Sequence, residues 1–257
     1  MFSCLNIVDA SNFTLDCDYS GSIVNKYQSS FSYCILLTEL PKLSKNNYSS
    51  FAYMFQGCTS LKRIPNNYLQ NSSKLYDNCY SHMFDGCTGL TTLPSGLLPA
   101  TTLESYCYSH MFDGCTGLTT LPSGLLPSTT LASSCYNSMF YGCTSLTTIP
   151  NLPATTLASS CYQYMFNGCT GLVETPGGWI LKAQTTATYS CYAMFYGCSK
   201  LQKIAVSYSG IITASHWSSF LYNVSKKGTF YYSKNQTKEN IQSIVPSGWT
   251  LVQSKEW

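Results

Sequence analysis

Charge is what this chain has least of. Of its 257 residues only 10% are Asp, Glu, Lys or Arg, against roughly a quarter in an ordinary soluble domain. Ser, Thr, Tyr and Asn do the solvating instead. The shortage also has a sign. Between Leu75 and Leu181 there is no Lys or Arg, while Asp77, Asp85, Glu104, Asp113 and Glu174 give that span a formal charge of −5, although the whole chain carries +3. Nucleic-acid binding needs clustered cations that displace counterions from phosphates, so no nucleic-acid partner is expected there. Long apolar runs are missing too, and without about twenty consecutive apolar residues no membrane span is expected. The opening Met1-Phe2-Ser3-Cys4-Leu5 lacks a basic stretch followed by an apolar core, so no signal peptide is seen. The expected locations are the maker's cytosol, or the outside by another route, such as assembly into a particle released by lysis.

Catalytic signatures are equally scarce. There is no G-x-S-x-G elbow, P-loop or dinucleotide fingerprint. Only three His occur: His82, His110 and His216. No catalytic residue, enzymatic activity or cofactor is expected. Cysteine, by contrast, is abundant at fourteen residues, but close C-x2-4-C pairs of the zinc-binding kind are absent. Ten Cys form spaced pairs, Cys79/Cys87, Cys107/Cys115, Cys135/Cys143, Cys161/Cys169 and Cys191/Cys198. Their fixed placement favours reduced thiols acting as small buried apolar groups over a disulfide framework.

What fixes the placement is an internal repeat. Cys79 to Pro94 and Cys107 to Pro122 are the same sixteen residues, Cys-Tyr-Ser-His-Met-Phe-Asp-Gly-Cys-Thr-Gly-Leu-Thr-Thr-Leu-Pro. Looser copies begin at Phe51, Cys135, Cys161 and Cys191. The Met of the Met-Phe pair falls at Met54, Met83, Met111, Met139, Met165 and Met194, with gaps of 29, 28, 28, 26 and 29 residues. A period of this size means units that bury their apolar faces on one another. A degenerate unit at Ser30 to Cys34 starts the array near residue 25, and a weakened copy at Phe220 to Val224 ends it.

Within a unit three parts are expected. Cys135, Tyr136, Met139 and Phe140 fall at i, i+1, i+4 and i+5, one face of a short helix from Ala132 to Gly142, with Gly142 as its terminating glycine. Leu146-Thr147-Thr148-Ile149 is β-prone and is stopped by Pro150. A loop such as Ser95 to Pro99 returns the chain, and its shorter form, Asn151 to Pro153, accounts for the 26-residue gap. The fold class is therefore α/β: a solenoid with one short parallel strand and one short helix per unit of about 28 residues, in which Thr91, Thr119 and Thr147 form a ladder. Residues 1–25 are expected to be an N-terminal cap, with short strands around Phe13, Leu15, Ile23 and Val24. Residues 26–225 are the array. Residues 226–257 are a C-terminal cap that reads strand (Thr229 to Tyr232), helix (Lys238 to Ile244), strand (Trp249 to Val252).

The signature from Leu98 to Leu118, Leu-Pro-Ala-Thr-Thr-Leu, then Cys107-Tyr108, Met111-Phe112, Gly114-Cys115-Thr116 and Leu118, resembles the BspA-like leucine-rich repeats. These occur in surface proteins of gut and oral bacteria, in some protist surface proteins and in gut phage genomes. The resemblance covers about residues 30 to 225, and the tail from Gly228 to Thr250 resembles the end segment of such proteins. It implies a leucine-rich-repeat solenoid used for adhesion or protein binding, at an extracellular surface or on a phage virion, and offers no catalytic residues to carry over. Such a fold analogy does not identify a site.

Several constellations remain. His82 and His110 share one repeat position, each three residues before Asp85 or Asp113, which raises a metal site. The same position holds Tyr53, Ser138, Tyr164 and Ala193 elsewhere, as a surface position would, so no metal is expected. The residue after Met-Phe varies as Gln56, Asp85, Asp113, Tyr141, Asn167 and Tyr196. Changing aromatic and polar residues on a constant frame suit a binding surface or positions free to drift. The candidate ligand-binding set is Tyr53, His82, His110, Tyr141, Tyr164 and Tyr196, facing a protein or glycan receptor. A structural spacer is the alternative. Trp179, Trp217, Trp249 and Trp257 are expected to pack in the cap. Asn-x-Ser/Thr occurs at Asn12, Asn47, Asn71, Asn223 and Asn235, as chance allows in so Ser/Thr-rich a chain.

Overall fold

In the computed structural model every unit packs on the next through its backbone. The structure describes residues 6–15, 27–43, 50–69, 75–175, 181, 183, 187–208, 210 and 214–254. The segment around each Met-Phe pair is a run of turns, not the expected α-helix. Alternate N–H groups go in two directions. Those of Tyr80, His82, Phe84 and Gly86 donate to Cys107, Ser109, Met111 and Asp113 carbonyls of the next unit at 3.0, 2.9, 3.0 and 2.7 Å. Those between them, Ser81, Met83, Asp85 and Cys87, donate three residues back. The same alternation joins eight segments, at 29–33, 51–57, 78–86, 106–114, 134–142, 160–168, 189–197 and 215–222.

The apolar spacing explains the departure from helix. Cys79-Tyr80, Met83-Phe84 and Cys87 must all point inward at a strict interval of four. An α-helix would over-rotate by about 40° every four residues. A left-handed residue every fourth position resets the direction: Asn78, His82 and Gly86 have φ of 59°, 56° and 69°. L-residues adopt that region at some cost, and the inter-unit ladder holds them there.

Inside the stack the repeated residues form columns. Met54, Met83, Met111, Met139, Met165 and Met194 are fully buried. Phe55, Phe84, Phe112, Phe140, Phe166 and Phe195 stack in sequence with centroids 5.5–5.7 Å apart. Phe51, Tyr80, Tyr108, Tyr136 and Tyr162 form a second aromatic column. Burial of each such side chain contributes roughly 1.5–3 kcal/mol.

The cysteine pairs line the same core as free thiols. Their second members also make a polar ladder. The Sγ–H groups of Cys87, Cys115, Cys143, Cys169 and Cys198 donate to the carbonyls of Phe55, Phe84, Phe112, Phe140 and Phe166 at 3.1–3.2 Å. Cys suits this slot because it is nearly apolar yet carries a weak donor. Cys34, outside the five pairs, is disulfide-bonded.

The expected strand of each unit shrinks in mid-array to a single parallel bridge, Thr92 with Thr120, and a second bridge, Thr130 with Thr156, falls in the return segment after the proline. The prolines that end each run, such as Pro94, Pro122 and Pro150, leave too few extended residues for more. The threonine ladder is present: the N–H groups of Thr119 and Thr147 donate to Thr91 and Thr119 carbonyls, and their hydroxyls reach the same oxygens at 3.3 and 2.9 Å.

Full strands lie towards the ends. β1 (Thr14–Leu15) pairs in parallel with β2 (Lys42–Leu43). β3 (Lys203–Val206), β4 (Gly228–Tyr232) and β5 (Trp249–Gln253) form a parallel sheet in that order. Two short helices accompany it. α1 spans Ala214–Trp217, and α2 spans Lys238–Gln242, with Thr237 as N-cap accepting from Asn240 N–H. Trp217 and Trp249 are buried in this region. Ile23, Val24, Asn47, Asn71, Trp179 and Trp257 lie outside the described residues. Among the described residues no helix is long and apolar enough to cross a membrane.

Candidate functional site

The left-handed position before each Met points away from the core, so the residues there stand in a row along the stack. Tyr53 stacks on His82 with centroids 4.5 Å apart, and His82 on His110 at 4.4 Å with planes 6° apart. The residue after Met-Phe forms the neighbouring row. His82 Nδ1 lies 2.9 Å from Asp85 Oδ2, and His110 Nδ1 lies 2.8 Å from Asp113 Oδ2. Gln56 Nε2 donates to the same Asp85 oxygen at 3.0 Å. Each carboxylate thus orients an imidazole through Nδ1 and leaves Nε2 outside that bond.

This arrangement makes a poor chelate. Parallel rings hold their Nε2 lone pairs side by side, so the two do not converge on one ion. Among the described residues no three His, Cys, Asp or Glu side chains gather in a way that could hold a metal. Nor is there an activated nucleophile in the row. The Ser138 hydroxyl, one unit along from His110, donates to Asn137 Oδ1 at 2.9 Å. The thiols are silenced by burial, which pushes Cys58, Cys161 and Cys198 up to about 12 and Cys115 and Cys169 well above the ordinary thiol value. At neutral pH all of these are protonated, which removes the species that attacks.

The six candidate residues are brought to one edge but not into one cluster. Tyr53, His82 and His110 are the stacked column. Tyr164 leans instead on Tyr192, edge-on at 5.4 Å, and burial beside Tyr192 raises its phenol. Tyr196 stacks on Tyr222 at 5.2 Å. Tyr141 is the most open of the six at 42% exposure. At the two small residues the row is closed: Ser138 and Ala193 are buried.

Sequence reasoning missed Tyr106 and Tyr189, exposed by 46% and 47%. They occupy the left-handed position one turn earlier, with φ of 56° in both. The signal was available in the interval of four, since Tyr106 precedes His110, and Tyr189 precedes Ala193, by four residues. Reading the segment as a helix hid it.

No curated protein matches this chain. A family model, the BspA type leucine rich repeat region, matches it in six copies, over residues 9–91, 82–210 and 133–243. Together these matches span most of the sequence, and the protein belongs to the BspA-type leucine-rich-repeat family.

Proposed function

We propose that this protein is a non-enzymatic recognition or adhesion module that binds a protein or glycan on a cell surface. The observation that carries the reading is the outer edge of the turn segments. There an invariant buried frame of Met, Phe and Cys presents a variable row of aromatic and polar side chains, with Tyr106, Tyr141 and Tyr189 open to solvent. Tyrosine offers a large contact area with few torsions to freeze and a hydroxyl to pair. Membership of a leucine-rich-repeat family supports the same reading by analogy. The protonated thiols and the absence of an activated hydroxyl beside the His–Asp pairs, among the described residues, favour binding over catalysis.

In this reading residues 26–225 form a continuous solenoid, capped by residues 1–25 and 226–257, and the protein works at a bacterial surface or on a phage particle. The alternative is a spacer or assembly component. The unbroken inter-unit ladder favours it, because such a ladder sets length and stiffness whatever the surface carries.

The two readings part in one experiment. Purified protein is screened against intact gut-bacterial cells and a surface-glycan panel, beside the variants Tyr141→Ala and Tyr164→Ala. Recognition predicts specific capture that falls by about tenfold in the variants, the equivalent of about 1.4 kcal/mol, with the unfolding midpoint of Tyr141→Ala unchanged and that of Tyr164→Ala lowered only by its lost contact with Tyr192. Silence from well-folded wild-type protein would sink the recognition reading and leave the spacer.

A further inference from the structure

The backbone ladder ends before its donors do. Tyr189, Cys191, Ala193, Phe195 and Gly197 donate forward to the carbonyls of Ser215, His216, Ser218, Phe220 and Tyr222. In the same register the forward donors of that last segment are the N–H groups of Ser219, Leu221 and Asn223. Ser219 and Asn223 repeat the left-handed conformation with φ of 56° and 58°. Among the described residues no further turn segment continues the ladder, and no acceptor meets the Leu221 or Asn223 N–H.

Ser219, Leu221 and Asn223 line a cleft of about 640 Å³ between the last segment and the tail residues Ser243 to Gly248. The volume falls in the range of small-ligand sites, roughly 300–1,000 Å³. The tail is held across it by Trp249, whose Nε1 donates to Ser225 O at 2.8 Å. Tyr222 lines the cleft, 57% exposed. One face of its ring is covered by Tyr196, with planes 20° apart, which leaves the other face for an occupant. Lys226 lines the rim, and Lys227 is its neighbour in sequence. Charge here is opposite to that of the middle of the stack. From Lys200 to Ser254 the chain carries Lys200, Lys203, Lys226, Lys227, Lys234 and Lys238 against Glu239 alone.

We infer that this cleft binds a carboxylate-bearing sugar unit, its ring against Tyr222 and its carboxylate on the Leu221 and Asn223 N–H groups and Lys226. The inference rests on the recognition reading and gives it a ligand class at a place apart from the Tyr141 edge. Backbone N–H groups turned to one side around a left-handed residue, as at Asn223, make an anion-binding concavity, and charge-assisted bonds to a carboxylate are the stronger kind. A neutral sugar leaves the donors and Lys226 unanswered. A bare anion leaves the aromatic face unused. A nucleic-acid backbone asks for more cations than the rim provides.

The test is calorimetric titration of the whole protein with 3′-sialyllactose and with trigalacturonate, against lactose and a short peptide with a free C-terminal carboxylate. An acidic oligosaccharide should bind about tenfold or more tighter than lactose, a gap of at least about 1.4 kcal/mol. Lys226→Ala and Tyr222→Ala should each remove most of that advantage, and Tyr141→Ala should not. Lys226→Ala alters only an exposed side chain, so it reads the site without threatening the fold. Equal affinity for lactose, equal affinity for the peptide, no binding of either acid, or wild-type affinity in Lys226→Ala would overturn the inference. Cell capture lost in Tyr141→Ala but kept in Lys226→Ala would leave the recognition reading standing on its own.

Discussion

His82 lies flat against His110, centroids 4.4 Å apart, and each ring is tied through Nδ1 to the carboxylate three residues on. Tyr53 continues the stack on the other side of His82. The middle ring therefore makes two stacks and an end ring only one. His82→Ala, which removes two stacks and the bond to Asp85, should lower stability by about 1 kcal/mol or more, and Tyr53→Ala by about 0.5 kcal/mol, since stacked pairs contribute roughly 0.5–1.5 kcal/mol and these rings are partly exposed. Urea unfolding of the two variants checks the ratio. Equal losses would mean that the rings lie side by side without stabilising one another.

The buried thiols set a limit at alkaline pH. Their folded values stand above the ordinary 9.0, about 12 for Cys58, Cys161 and Cys198, because burial penalises the thiolate. A raised folded value favours the folded state below the unfolded value and loses that contribution as pH rises. Stability should therefore be level up to about pH 9 and fall steeply between pH 9 and 12. Thiol titration with a disulfide reagent should follow unfolding and not precede it. Labelling of the free cysteines in folded protein at pH 8 would contradict this burial.

Gly86 is left-handed at φ +69°, and a Cβ there would sit 3.6 Å from Gly57 Cα, an ordinary contact. Space is available, so Gly86→Ala should cost only the backbone conformation, about 1 kcal/mol. Gly86→Asn should cost less, because Asn enters that region more readily. A loss of several kcal/mol in the urea midpoint of Gly86→Ala would mean that the glycine column packs more tightly than these distances indicate.

Units that touch only their neighbours can be removed whole. Deleting residues 107–134 joins Ser105-Tyr106 to Cys135 and keeps the register, since Cys107 and Cys135, 28 residues apart, hold the same repeat position. The shortened chain should fold cooperatively with a lower melting temperature. Aggregation or loss of the cooperative transition would show coupling beyond nearest neighbours.

The period, the unit and the core residues were legible in the sequence, because each follows from repeated identities. Met111, Phe112, Cys115 and Leu118 recur at fixed intervals, and all are buried. The candidate row was legible for the same reason, since variation at His82, His110 and Tyr141 stands out only against a constant frame. The parallel pairing of Thr91, Thr119 and Thr147 could be read from three runs stopped by proline, though not that mid-array strands would shrink to a single bridge.

The conformation of the turn segment was not legible. Apolar residues at i, i+1, i+4 and i+5 satisfy a helix and a four-residue turn repeat alike. What separates them is where the N–H of Tyr80 finds its acceptor, four residues back or on Cys107 of the next unit. Local sequence cannot carry that information, because the acceptor belongs to another unit and exists only once the stack has formed. The sequence by itself therefore determined that there are units, how long they are and what they bury. Only the tertiary structure decided that they are stitched by alternate backbone bonds, that Tyr106 and Tyr189 join the outer edge, and that the last turn segment lines a cleft. Repetition specifies burial through side chains, whereas direction and termination are settled by hydrogen bonds between segments far apart in the chain.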